Sequence, residues 1–398
     1  MKIKSLLLGS AAALVAVSGA RAADAVVIVP EPEAVEYVRV CDAYGTGFFY
    51  IPGTETCLRV GGRVRVDYRF QDFASNQGVV PTATNPTPGS WNDRTDNSTQ
   101  FRARAYVRLD SRTETEFGLL RTYTDLWFTH TTGGDDGVLV WDAFVQLGGF
   151  TFGRTGSFFD GYTGDSWGSQ IGVGLDDRAT VLAYTAAFGN GASASISLED
   201  ATDRQKTVVD GTAAIAGHKY PDLVANLRVN QGWGNAGAMA VLSNTASDVA
   251  GVDSALGFAV GAHVTFNLPM IAPGDAVSFQ AVYADGAVGY ASTHFATDGV
   301  LNVAGTSVDT ATAWNLAAGF THNWTSTVST SVTGSYGQLD ARGTALDVDQ
   351  WGLHGQIAWS PVGGLVIGTE VEYLSQDFGI GGDDDDDLTA TFRVQRTF

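Results

Sequence analysis

Ten of the chain's 19 arginines fall between residues 59 and 121. Their spacing is two. Arg59, Arg63, Arg65 and Arg69 share one parity, while Leu58, Val60, Val64, Val66, Tyr68 and Phe70 share the other. Side chains of an extended strand alternate between its faces, so this run is a strand with a cationic face and a greasy one. The next such run repeats the pattern, with Phe101, Ala103, Ala105, Val107 and Leu109 against Arg102, Arg104 and Arg108. As hairpin neighbours the two would form one continuous basic wall. A guanidinium keeps its charge at any relevant pH, so its chemistry is to attract or steer anions. A counterpart lies at 157–178, rich in glycine and aromatics and carrying Asp160, Asp165, Asp176 and Asp177. An acidic segment facing a basic wall sets up a transverse field that acts on whatever passes between them. The plainer alternative is a solvated strand face whose charges meet acid partners.

Other chemistry is poorly supported. Gly164-Asp165-Ser166-Trp167-Gly168 fits the G-x-S-x-G pattern. A nucleophile elbow needs a strand, a sharp turn and a helix, and this stretch lies between β-type runs. The six histidines, at 130, 218, 263, 294, 322 and 354, are scattered. No Cys/His metal spacing or phosphate-cradling glycine loop occurs, so no catalytic residue, cofactor or metal site is expected. Asp383 to Asp387 would attract divalent cations. The run lacks the glycine and the final glutamate of an EF-hand, which favours a solvated loop tip.

These residues need a frame. Lys2 and Lys4, the apolar stretch Leu6 to Val17 and Ala20-Arg21-Ala22 read as a secretory signal peptide over 1–22, cleaved ahead of Ala23. Its removal leaves 43 acidic residues against 20 basic ones. A net charge of about −23 argues against nucleic acid as a partner. The basic wall and this net charge pull in opposite directions, which leaves the sign of any ion selectivity open. The two cysteines, Cys41 and Cys57, are expected to pair in an exported chain. They would close a loop within a periplasmic N-terminal segment at 23–57 and stabilise it by roughly 3 kcal/mol.

From residue 58 onward, alternating runs recur and never lengthen into helical period. Sixteen strands are expected, near 58–71, 99–110, 113–125, 138–147, 150–156, 179–188, 192–199, 221–231, 236–243, 255–267, 276–285, 313–324, 328–338, 348–359, 365–375 and 388–398. Short and long connections alternate between them, which is the asymmetry of a bacterial outer-membrane barrel and not of a soluble sandwich. An even strand count puts both chain ends on the periplasmic side. Trp314 and Trp324 share an apolar face ten residues apart. At about 3.3 Å per residue and a tilt of about 40°, they span about 25 Å, the height of a lipid-facing band with its aromatic girdles. Trp351 and Trp359 bracket another strand in the same way. The fold class is therefore all-β, a sixteen-stranded antiparallel transmembrane barrel over 58–398.

The segment from Tyr37-Val38-Arg39-Val40-Cys41-Asp42-Ala43-Tyr44-Gly45 through Tyr50-Ile51-Pro52-Gly53-Thr54-Glu55-Thr56-Cys57-Leu58-Arg59-Val60-Gly61-Gly62 closely resembles the alphaproteobacterial general porins of the outer membrane. So does the ending Phe392-Arg393-Val394-Gln395-Arg396-Thr397-Phe398. The resemblance implies a homotrimer among the lipids and lipopolysaccharide of a Gram-negative outer membrane, passing small hydrophilic solutes by passive diffusion. It implies that 157–178 folds into the barrel as the constriction loop. Phe398 resembles the signal read by the barrel-assembly machinery, although Arg396 stands where that signal often has an apolar or aromatic residue. An Ala23-Asp24 start implies a possible covalent link to peptidoglycan. A structural or adhesive barrel and a barrel-embedded hydrolase are the alternatives.

Overall fold

A computed structural model describes Arg39 to Phe398, apart from residues 71–98, 135, 163, 166, 168–175, 201, 212–214, 344–346 and 379–384. The signal peptide at 1–22, Ala23, Ser166, Asp383 and Asp384 lie outside the described residues. In chain order the strands are β1 (Phe49–Tyr50), β2 (Cys57–Phe70), β3 (Thr99–Thr115), β4 (Gly118–Thr131), β5 (Gly137–Leu147), β6 (Phe150–Gly156) and β7 (Arg178–Gly189). Next come β8 (Ala192–Glu199), β9 (Thr207–Val209), β10 (Asp222–Gln231), β11 (Gly234–Thr245), β12 (Ala255–Asn267), β13 (Ala276–Asp285), β14 (Thr297–Leu301) and β15 (Val308–Thr310). The last are β16 (Thr312–Asn323), β17 (Val328–Asp340), β18 (Val348–Trp359), β19 (Leu365–Asp377) and β20 (Asp385–Thr397).

Leaving aside the two-residue β1, sixteen strands form one antiparallel sheet that closes where β2 meets β20. Closure leaves no unpaired edge, which is what lets a sheet cross a membrane. At the seam Phe398 N–H donates to the Gly62 carbonyl at 3.0 Å, and Gly62 N–H returns the bond to Phe398 at 2.9 Å. Gly62 has no room for a side chain, since a Cβ there would lie 2.7 Å from the Tyr106 carbonyl oxygen and 2.8 Å from the Phe398 ring.

The barrel is apolar outside and polar inside. Val60, Val64, Val66, Phe101, Leu316, Trp351 and Trp359 are all exposed on the outer surface, while Asp67, Asp110, Asn315, Gln350 and Glu370 are buried on the inner one. So large an exposed apolar belt is untenable in water and natural in lipid. Turn chemistry fits the sequence where it is sharpest. Asn190 and Gly191 link β7 to β8 with φ of 48° and 73°, the left-handed pair that a two-residue hairpin of this twist requires.

Three expectations are corrected. The turn foreseen at 111–112 lies at Glu116 and Phe117, because Ser111, Arg112 and Thr113 pair onward with Thr122, Arg121 and Leu120. The acidic run is not wholly a loop tip, since Asp385, Asp386 and Asp387 open β20 and pair with Gln376, Ser375 and Leu374. The long connections at 200–220 and 286–312 are not plain loops. They contribute β9, β14 and β15, which form a small second sheet with a parallel β9–β14 pairing. Phe159, Val288, Tyr290 and Phe295 pack there against the inward-facing Val224, Val241, Val282 and Leu339. Apolar groups on an inner wall are thus covered by chain instead of water. The Cys41–Cys57 disulfide is present, with Cα atoms 6.0 Å apart, and ties the preceding segment to the start of β2 around buried Phe48.

Candidate pore constriction

The alternation within β2 and β3 delivers the basic wall. Arg63 stands opposite Tyr106, Arg65 opposite Arg104, and Asp67 opposite Arg102. β20 joins the wall from the other side, with Arg393 opposite Asp67. Asp67 is the wall's counter-charge. Its carboxylate accepts from Arg393 Nε at 2.6 Å and from Arg102 Nη2 at 2.5 Å, and Arg65 Nε lies 3.3 Å away. Like charges packed this closely on one face repel, and a buried carboxylate among three guanidiniums offsets that. Arg108 pairs with Asp125 on β4 at 2.8 Å. Arg59 is half-exposed at the short-turn end, 3.7 Å from Asp110, which also takes Arg112 and Arg121. Among the described residues Arg63, Arg69 and Arg104 make no ion pair, and the buried Nε atoms of Arg63 and Arg69 have no hydrogen-bond partner.

The segment between β6 and β7 runs, in its described residues, into the lumen. It starts at the wall that it leaves, where Phe158 N–H donates to Glu199 at 2.8 Å and its carbonyl accepts from Asn226 at 2.6 Å. Tyr162 N–H then donates to Gln280 of β13 at 2.8 Å, and its hydroxyl lies 3.1 Å from that of Thr333 on β17. Burial pushes that hydroxyl up to about 12, so it keeps its proton. Trp167 N–H reaches Glu370 of β19 at 2.6 Å, and its ring lies under the Arg393 guanidinium, 4.6 Å from the centroid. Glycines make room: a Cβ on Gly319 would strike the Tyr162 hydroxyl, and one on Gly368 would lie 2.8 Å from the Trp167 ring. The described part of the loop is therefore bonded round the wall from β8 to β20, and the arginines of β2 and β3 keep the remaining lumen.

The loop's acids each have a partner among the described residues. Asp160 pairs with buried Arg204, and Asp177 lies 3.6 Å from the same guanidinium. Asp165 accepts from the Thr321 hydroxyl at 2.8 Å, and Asp176 pairs with Arg178 at 2.6 Å. Each acid thus fixes the loop to another group. The residues flanking Ser166 also serve docking. Sequence reasoning missed Arg393, Glu370 and Tyr106. Arg393 was within reach, because its neighbours Phe392 and Val394 face outward. The other two show only once strands and loop are assembled.

The comparisons agree with this architecture. Residues 24–394 match the family model described as a porin subfamily. Porin Omp2b of Brucella suis biovar 1 (strain 1330) and that of Brucella abortus (strain 2308) are each 43% identical over 249 residues, 59% of this chain. The match spans 64% of the length of these relatives. In fold the chain is similar to the outer membrane channel DcaP of Acinetobacter baumannii, with a TM-score of 0.65 at 16% identity over 88% of this chain and 99% of that one. It is also similar to the trimer form of OmpT from Vibrio cholerae, with a TM-score of 0.53 at 11% identity over 87% of this chain and 100% of that one. With a closed sixteen-stranded barrel and a family match along nearly its whole length, the chain belongs to the porin family of the Gram-negative outer membrane.

Proposed function

We propose that the protein is a water-filled channel for passive diffusion of small hydrophilic solutes and ions, constricted between the loop at 157–177 and the arginines of β2 and β3. One observation carries this reading. Trp167 is fastened to Glu370 and Arg393, far from the strand the loop leaves, so the loop narrows the lumen beside the basic wall, where Arg63, Arg69 and Arg104 make no ion pair among the described residues. A patch of cations on one wall of a narrow aqueous pass favours anions. Local charge at the narrowest point outweighs the acidic total of the chain, because salt screens charges beyond about 8 Å at physiological ionic strength.

The proposal includes a homotrimer, as in the trimer form of OmpT, set among outer-membrane lipids and lipopolysaccharide. Phe398, exposed at the seam, is the contact for the barrel-assembly machinery. The tail starting at Ala23 is a candidate for attachment to peptidoglycan, which sequencing of peptides released from cell-wall sacculi decides. For the channel, planar-bilayer recording should give ohmic steps arriving in threes, with a reversal potential in a salt gradient on the anion side. The R63Q/R104Q double variant should move that potential toward cations. Absence of conductance, or a potential unmoved by the double variant, refutes the corresponding part.

A further inference from the structure

The inner faces of β3, β4 and β5 carry a run of rings that simple diffusion does not require. Trp127 stacks on Trp141 with centroids 4.0 Å apart and planes 17° from parallel. Tyr106 meets Trp127 edge-on at 4.9 Å. Tyr106 and Trp127 are direct cross-strand partners, as are Arg104 and Thr129, so they share the face that bears the basic wall. Both tryptophans are partly exposed. Large rings on a wet wall lose the burial that normally rewards them.

One explanation is that the rings only brace the arginines. Arg178 fits it: its guanidinium lies 4.3 Å from the Trp141 ring centroid and is paired with Asp142 and Asp176. Two others do not. Arg63 lies 3.8 Å over Tyr106 and Arg104 4.7 Å over Trp127, and neither makes an ion pair among the described residues. Arg63 Nε is buried without a partner, and Arg104 spends its Nε on the Thr129 hydroxyl at 2.7 Å. The nearby carboxylates are already engaged. Asp125 takes Arg108 and the Trp127 indole N–H at 3.1 Å, and Asp142 takes Arg178. Along this run of rings, then, stand two guanidiniums that make no ion pair among the described residues, Arg104 over Trp127 and Arg63 over Tyr106.

We propose that Arg63, Arg104, Trp127 and Trp141 form a binding station inside the channel for aromatic carboxylates. The guanidinium forks hold the carboxylate by charge-assisted hydrogen bonds, and the solute's ring meets the indole pair at its exposed edges, since the indole faces are taken by each other, Arg104 and Arg178. The geometry favours an anion over a neutral sugar, because Arg63 and Arg104 are cationic and make no ion pair among the described residues. Weak retention of this kind speeds entry from dilute solution while still allowing exit. The station rests on the channel reading, and binding to the purified protein separates the two.

The test compares benzoate with acetate, using benzyl alcohol and maltose as uncharged controls. In planar bilayers benzoate should reduce the chloride current at a concentration roughly three- to tenfold lower than acetate does, the range that one ring contact supplies. Benzoate should also quench tryptophan fluorescence of the detergent-purified protein with the same concentration dependence. W127L should close the gap between benzoate and acetate, W127F should keep most of it, and R63Q/R104Q should reduce benzoate to the level of benzyl alcohol. Equal potency of benzoate and acetate on the native channel overturns the station. So does a gap that survives W127L, or block by maltose or benzyl alcohol as strong as that by benzoate. Quenching without any conductance would keep the station and refute the channel; conductance without quenching would do the reverse.

Discussion

Asp67 holds the arginine wall together. It is fully buried, touches Arg65, Arg102 and Arg393, and so links β2, β3 and β20 across the seam. Removing one partner of a buried ionic cluster leaves the others uncompensated, at a cost of about 3 kcal/mol. D67N should therefore lower the midpoint of denaturant unfolding while raising anion preference in the reversal potential, since three guanidiniums lose their counter-charge. A lower midpoint with unchanged selectivity would show that the wall does not face the ion path. The arginines themselves were legible, because parity alone sorts Arg63 from Val64. Their partners were not, because Asp67 meets Arg393 at a separation of 326 residues and only barrel closure joins them.

Among the elements, the crossing loop depends on a few anchors. Trp167 makes the far one, through its N–H, its carbonyl and its ring. W167A keeps the backbone bond and removes the ring from its place by Gly368 and beneath Arg393. A cation–π contact of this kind contributes about 1 kcal/mol, so the loop tip should spend more time away from the wall. Single-channel conductance should rise and its open-state noise should grow; an unaltered trace would mean that the tip is not the constriction. The seam offers a second test. G62V forces a side chain against the Tyr106 carbonyl and the Phe398 ring, and should cut the yield of the heat-modifiable folded form on gels. A full yield would show that the close approach at Gly62 is dispensable.

The barrel is inverted, with polar groups inward and an apolar belt outward, and β2 and β20 meet at a single seam. The Cys41–Cys57 bridge closes a 16-residue separation just ahead of that seam. Constraining a loop of this size stabilises by roughly 3 kcal/mol at most. C57S should lower the unfolding midpoint under oxidising conditions and match the native protein under reducing ones, with the channel's conductance retained in both. A native midpoint unaffected by reduction would show that the bridge constrains nothing that matters to the barrel.

The sequence by itself determined the wall. A period of two needs no long-range information, since each strand's faces follow from local backbone geometry. The strand count, the disulfide and the outward tryptophans were accordingly readable residue by residue. Only tertiary structure decided what lies inside. Which carboxylate meets which guanidinium, where Tyr162 and Trp167 come to rest, and how β9 pairs with β14 depend on strands distant in sequence becoming neighbours. No periodic signal encodes those encounters. The turn at 116–117 was misplaced for a related reason: polar Ser111 and Arg112 read as a turn locally, while their cross-strand partners on β4 carry the strand onward. The partners of the loop acids were hidden similarly, because charge in a sequence shows what can pair, and only the closed barrel shows what does.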